Sequence, residues 1–175
     1  MKRRKIYYWD SSVMIAFLGG EAGRSENVEQ ILEEAESGKI FIVTSSFTLV
    51  EVIKLKGKTP IKIDAQQRVT KFFEKDYFLF VDATRKITEA ARSLIWANPT
   101  LFPKDSVHLA SAIEFHKKQS LDALHSYDTD FLAFNGKSLI SCPIEEPMPP
   151  QPVLPMKVER AQKKKSRRLI ELGDK

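Results

Sequence analysis

Two textures alternate along the chain: short compact apolar runs, and longer stretches whose apolar residues recur at helical spacing. Residues 6–9 form a β-branched and aromatic run closed by Asp10, and 40–44 and 78–81 repeat that texture; each predicts a buried strand. Residues 121–125 predict a fourth strand and 139–141 a last one. Residues 12–18 read as a helix stopped by Gly19 and Gly20. Residues 25–37 place Val28, Ile31, Leu32 and Ala35 on one face, with Gly38 as a C-terminal cap. Ser45 or Ser46 is placed to cap a helix running through Leu49, Val50, Val52 and Ile53 to Gly57. Helices are also predicted over 64–75, from a Thr84 cap through Ile95 to a stop at Asn98-Pro99, and over 104–118. This alternation predicts an α/β fold, a three-layer sandwich in which a mostly parallel sheet of about five strands lies between helical layers.

The texture changes at Pro143. Six prolines fall within residues 143–155, a density that excludes a regular strand or helix. The expected organisation is therefore one domain over 1–142 and a proline-rich, basic extension over 143–175. Val158, Ala161, Leu169 and Leu172 could let the latter dock as a short helix.

Charge sharpens this division. The net charge is +5, yet residues 2–5 alone carry +4, and 156–175 hold eight basic residues against three acids. The stretch between them is therefore acidic, at −4. An acidic body with basic ends suits a polyanion held beside a carboxylate-rich site. The apolar runs fall far short of the roughly 20 residues of a membrane span, and no small-residue cleavage site follows the basic N-terminus. One cysteine, Cys142, permits neither an internal disulfide nor a thiolate cluster. A cytoplasmic protein is expected.

In open parallel sheets, ligands gather at the carboxyl ends of the strands. Four acids fall at such places: Asp10 after the first strand, Glu51 on the helix after the second, Asp105 near the start of a later helix and Asp128 after the fourth strand, with Asp130 close by. Converging carboxylates repel one another unless a cation sits among them, and an all-oxygen donor set suits Mg²⁺ or Mn²⁺. Such ions support phosphodiester hydrolysis without a Ser, Cys or His nucleophile, and the sequence offers no convincing one.

The same residues carry a family resemblance. Tyr8-Trp9-Asp10-Ser11-Ser12-Val13 resembles the opening motif of PIN domains, and Thr44-Ser45-Ser46-Phe47-Thr48-Leu49-Val50-Glu51-Val52 is similar to the second. Lys104-Asp105-Ser106-Val107-His108-Leu109-Ala110-Ser111-Ala112 resembles the third, and Ser126-Tyr127-Asp128-Thr129-Asp130-Phe131 the fourth. Any one motif is weak; four in order across about residues 5–142 are specific. The resemblance implies a PIN fold and an Mg²⁺- or Mn²⁺-dependent ribonuclease. Such a protein is commonly the toxin of a toxin–antitoxin pair, neutralised by an antitoxin, and often a homodimer. Carried across, Asp10, Glu51, Asp105 and Asp128 become catalytic metal-site acids, Asp130 an auxiliary acid, and Ser12 the residue that orients either the first aspartate or a metal-bound water.

Other features stay open at this level. Lys54, Lys56 and Lys58 read equally as an RNA path or a solvated helix end. Lys163, Lys164, Lys165, Arg167 and Arg168 read equally as a phosphate grip or a solubilising tail. His108 and His125 are expected to be structural, because the acids already suit a hard cation, and Lys104 is expected at the surface, the alternative being that it lowers the pKa of Asp105 or touches a phosphate. Phe72, Phe73, Phe78, Phe80 and Trp96 are expected in the core or a dimer contact. A dehalogenase-like phosphatase needs an acid where Ser12 stands, and a receiver domain needs an acidic pair at the first strand; neither is present. A processing nuclease without an antitoxin, and a non-catalytic binding module, are the remaining rivals.

Overall fold

The computed structural model describes residues 3–53 and 63–149. In chain order the elements are β1 (Lys5–Trp9), α1 (Ser11–Leu18), α2 (Ser25–Glu36), β2 (Ile40–Ser45), α3 (Thr48–Glu51), α4 (Ile63–Phe73), β3 (Phe78–Val81), α5 (Arg85–Ala97), α6 (Pro103–Lys118), β4 (Ala123–His125), α7 (Thr129–Leu132) and β5 (Ile144–Glu145). The five strands form one sheet in the order β3-β2-β1-β4-β5, and every pairing is parallel. Tyr8 of the central strand lies opposite Val43 on one side and Leu124 on the other.

Alternation along the strands divides the core in two. Trp9, Ile40 and Ile42 point toward Val13, Met14, Ile31 and Phe72, on the side of α1, α2 and α4. Ile6, Tyr8 and Val43 face the other way, toward Leu109, Leu124 and Phe131. Both faces are thus covered by helices, which is why the strands read as continuous apolar runs. Phe72 and Phe78 join the first core, whereas Trp96 is 71% exposed and packs under the guanidinium of Arg92. Among the described residues, no helix is long and apolar enough to cross a membrane.

Three elements depart from expectation. The helix after β2 is only four residues long and is not capped by a serine. Ser45 Oγ instead accepts from the Phe47 N–H (3.2 Å), and Ser46 Oγ accepts from the Ala83 N–H (2.9 Å), tying the turn to the end of β3. Thr44 Oγ1 donates to the Trp9 carbonyl (2.8 Å) and meets Thr48 Oγ1 (2.7 Å), so buried threonines seat α3 on the central strand. The one-turn helix α7 follows β4 and has no counterpart in the apolar pattern.

The last strand is not 139–141, where the chain bends, but Ile144–Glu145, within the stretch where proline density led to the expectation of no strand. Pro143 can open this edge strand because it is needed only as an acceptor: its carbonyl takes the Leu124 N–H at 2.8 Å. The Glu145 carbonyl takes the Ser126 N–H at 3.0 Å, and Asn135 Oδ1 takes the Ile144 N–H. Ile144 is buried. Cutting the chain after Cys142 removes this strand and should destabilise the protein by roughly 2–4 kcal/mol: one buried isoleucine and two ladder hydrogen bonds are lost. A thermal melt of the truncated chain should then fall by about 5–15 °C. An unchanged melting temperature would show β5 to be dispensable.

Candidate active site

Strand order reverses at β1: β2 and β3 lie to one side, β4 and β5 to the other. The carboxyl ends of β1 and β4 stay paired, but the chain leaves them toward opposite faces, α1 to one side and α7 to the other, which marks the usual ligand crevice of open α/β sheets. Asp10 follows β1 there and caps α1 in an extended conformation, as aspartate does well. Its Oδ1 accepts from the Ser12 N–H (3.0 Å), the Ser12 hydroxyl (2.5 Å) and, more weakly, the Val13 N–H (3.4 Å). Its Oδ2 accepts from the Ser126 hydroxyl at 2.6 Å.

The two serines clamp the crevice reciprocally. Ser12 Oγ accepts from the Tyr127 N–H (2.8 Å), and Ser126 Oγ accepts from the Asp128 N–H (2.9 Å). Each hydroxyl thus donates to Asp10 and accepts from the chain just past β4, locking the ends of the two strands together. Ser126 stands in the fourth motif, but the sequence alone assigns it no role. Its signal is symmetry: it precedes Asp128 by two residues, as Ser12 follows Asp10 by two.

Asp105 enters from the first turn of α6, which Pro103 opens at a position where a missing N–H costs nothing. Asp10 and Asp105 are each only 3% exposed. Burial pushes both carboxyls above the usual carboxylate range. For Asp10, hydrogen bonds from Ser12, Ser126 and the Val13 N–H oppose that rise. Asp105 reaches about 6; Lys104 opposes the rise, while the neighbouring charges of Asp128 and Asp10 add to it. These acids therefore feel one another across the crevice.

Lys104 bridges them: its Nζ lies 3.0 Å from Asp128 Oδ2 and 3.7 Å from Asp105 Oδ1. It lies at the surface, as expected, and also joins the cluster. Burial would lower its pKa, but the hydrogen bond to Asp128 and the charges of Asp105, Asp128 and Glu51 raise it overall. Asp128 itself sits below its ordinary value: partial burial is outweighed by Lys104 and by the Asp130 and Phe131 N–H groups.

Glu51, at the end of α3, turns toward α6, where its Oε2 lies 2.7 Å from His108 Nε2. Asp130 is exposed on α7 and contributes its backbone N–H to Asp128 rather than its carboxylate. His125 is buried, its pKa lowered to about 3 by that burial and then by Lys5; its Nδ1 takes the Trp9 indole N–H at 3.0 Å. Lys54, Lys56, Lys58, Lys163, Lys164, Lys165, Arg167 and Arg168 lie outside the described residues. A cavity of about 530 Å³ lined by Leu49, Val52, Ile53, Val69, Phe73 and Phe80 includes none of the candidate acids.

Among the described residues, no three acids or histidines stand close enough together to grip one ion directly. The donor chemistry nevertheless fits a hard, hydrated cation. Asp10 and Asp105 are all-oxygen donors whose charge is poorly tolerated where they sit, and Mg²⁺ is commonly held by one or two carboxylates while keeping several waters.

Comparisons with known proteins agree with this architecture. The chain is similar to VapBC2 from Rickettsia felis, solved bound to a DNA fragment from its promoter, at 18% identity and a TM-score of 0.54, over 81% of this chain and 98% of the other. It is similar to Mycobacterium tuberculosis VapC20, described as a sarcin–ricin-loop-cleaving toxin, at 16% identity and a TM-score of 0.54, over 73% and 93% of the two chains. No curated protein matches it. The PIN domain model matches residues 7–137, which takes in Asp10, Glu51, Asp105 and Asp128, and the chain accordingly belongs to the PIN domain family.

Proposed function

We propose that this protein is a divalent-metal-dependent endoribonuclease and the toxin of a toxin–antitoxin pair. The observation that carries the reading is the buried pair Asp10 and Asp105 at the sheet's switch point, coupled electrostatically to Asp128 and to Lys104. Isolated structural aspartates have no reason to be buried beside one another. Asp10 and Asp105 would hold Mg²⁺ or Mn²⁺ together with its waters, with Asp128 and Glu51 at the periphery of the site. A bound ion of this kind activates water and neutralises charge on a phosphodiester under attack. Ser12 and Ser126 orient both oxygens of Asp10. Lys104, half exposed, places positive charge where an RNA phosphate would approach the carboxylates.

The resemblance to toxin structures, one of them a VapBC2 assembly, supports an antitoxin as protein partner. A cytoplasmic homodimer is the assembly this reading expects. The direct test incubates the purified full chain with total RNA in Mg²⁺ or Mn²⁺ and, separately, in EDTA. Discrete internal cleavage products are expected with metal and none with chelator; equal cleavage in EDTA rejects the mechanism. Growth arrest on expression, relieved by a small protein encoded next door, identifies the toxin. Metal-dependent cleavage without arrest points instead to an RNA-processing nuclease.

A further inference from the structure

His108 and Tyr8 form a buried relay ending on Glu51. His108 is 1% exposed and Tyr8 fully buried. The Tyr8 hydroxyl lies 3.0 Å from His108 Nδ1, and His108 Nε2 lies 2.7 Å from Glu51 Oε2. With a neutral imidazole, only one arrangement satisfies both contacts: the phenol O–H donates to Nδ1, leaving Nε2–H to donate to the carboxylate. The relay joins three elements distant in sequence, since Tyr8 belongs to the central strand, His108 to α6 and Glu51 to the short helix α3. It also springs from the helix that carries Asp105, three residues earlier and one turn away on the same side.

Glu51 needs such an anchor. Helix α3 is a single turn, and the side chains flanking Glu51 diverge: Val50 is 58% exposed, while Val52 is buried. A glutamate there has several rotatable bonds, and nothing in so short a helix selects one rotamer. The imidazole takes Oε2 only, and the carboxylate keeps 15% exposure, so it is held but not sealed off from the crevice.

We propose that His108, itself fixed by Tyr8, is a positioning residue that holds Glu51 in the orientation in which it serves the metal site. This rests on the metal-dependent nuclease reading above. Carboxylates around metal sites depend on such outer partners, and losing one commonly costs 10- to 100-fold in metal affinity or activity.

The experiment measures Mn²⁺ affinity of the full chain by electron paramagnetic resonance, alongside RNA cleavage at increasing Mn²⁺. His108→Leu should weaken Mn²⁺ binding by about 10- to 100-fold, with cleavage recovering as Mn²⁺ is raised. His108→Gln, which keeps an N–H donor, should restore most of the affinity. Tyr8→Phe should cost less than His108→Leu. In the Glu51→Gln background, His108→Leu should add nothing. The proposal is overturned if His108→Leu binds Mn²⁺ like the native chain, if the glutamine fails to rescue, or if the two losses add in the double variant. If His108→Leu does not fold, the glutamine and Tyr8→Phe variants decide the matter by the same criteria. A native chain that neither binds Mn²⁺ nor cuts RNA overturns the nuclease reading and this inference together. A native chain that does both, beside an unaffected His108→Leu, overturns this inference alone.

Discussion

Replacing Asp10 with asparagine should lower the rate of RNA cleavage by on the order of 10²–10³-fold, the scale of removing one essential electrostatic contact from an active site, while leaving the chain folded. Asparagine caps helices as well as aspartate does, so the Ser12 and Val13 N–H groups keep an acceptor and α1 keeps its start. The Ser126 hydroxyl loses its charged acceptor but can turn to accept from the new amide while still taking the Asp128 N–H. What disappears is negative charge that burial already penalises. The variant should therefore melt no lower than the native chain in metal-free buffer. Single-turnover cleavage together with a thermal melt checks both halves. Native-like cleavage by Asp10→Asn would remove this residue from the machinery, and a collapsed melt would recast it as purely structural.

Added Mn²⁺ should stabilise the native protein by about 2.7 kcal/mol at 100 times its dissociation constant, raising the melting temperature by roughly 5–10 °C. The metal-free protein should also show an inverted response to pH. Asp105 titrates near 6 in the folded chain against 3.8 ordinarily, so between about pH 4 and pH 6 the folded state keeps a proton that the unfolded state has lost. Stability from this group is complete below that window and falls as pH rises through it. Asp10 is shifted in the same direction. Asp128 is shifted downward and acts below the window. Without metal, melting at pH 5 should exceed melting at pH 7 by a few degrees, roughly 1 kcal/mol after solvent screening. Asp105→Asn should shrink both the pH slope and the Mn²⁺ shift. A metal response undiminished in that variant, or a melting point that climbs from pH 5 to pH 7, would contradict the assignment.

Strands β1 and β2 and the body of β4 were legible because they are buried on both faces, and two-sided burial writes an unbroken apolar run; β3 has the same apolar run, yet on this edge strand Phe80 is 39% exposed. Asp10 and Asp105 were legible because strand ends and helix starts mark themselves with chain-breaking residues. The rest depends on partners distant in sequence. Ile144–Glu145 becomes a strand because β4 offers it an edge, a fact that proline counting along the chain cannot contain. Glu51 stands between two valines in the sequence, but its carboxylate is held by His108 from another helix, while Val50 points to solvent. Lys104 looks like any surface lysine until Asp128, 24 residues later, is brought beside it.

The central strand is also made before both of the strands that flank it. Trp9 waits for His125, 116 residues later in the chain, before β1 gains its second neighbour and Ser126 reaches Asp10. At ribosomal speeds of about 5–20 residues per second, that interval lasts roughly 6–23 s. Throughout it, a growing chain has Asp10 but lacks the clamp that sets its carboxylate. The geometry around Asp10 is thus completed only after β4 has been synthesised, a sequence of events written into the order of the strands in the sheet.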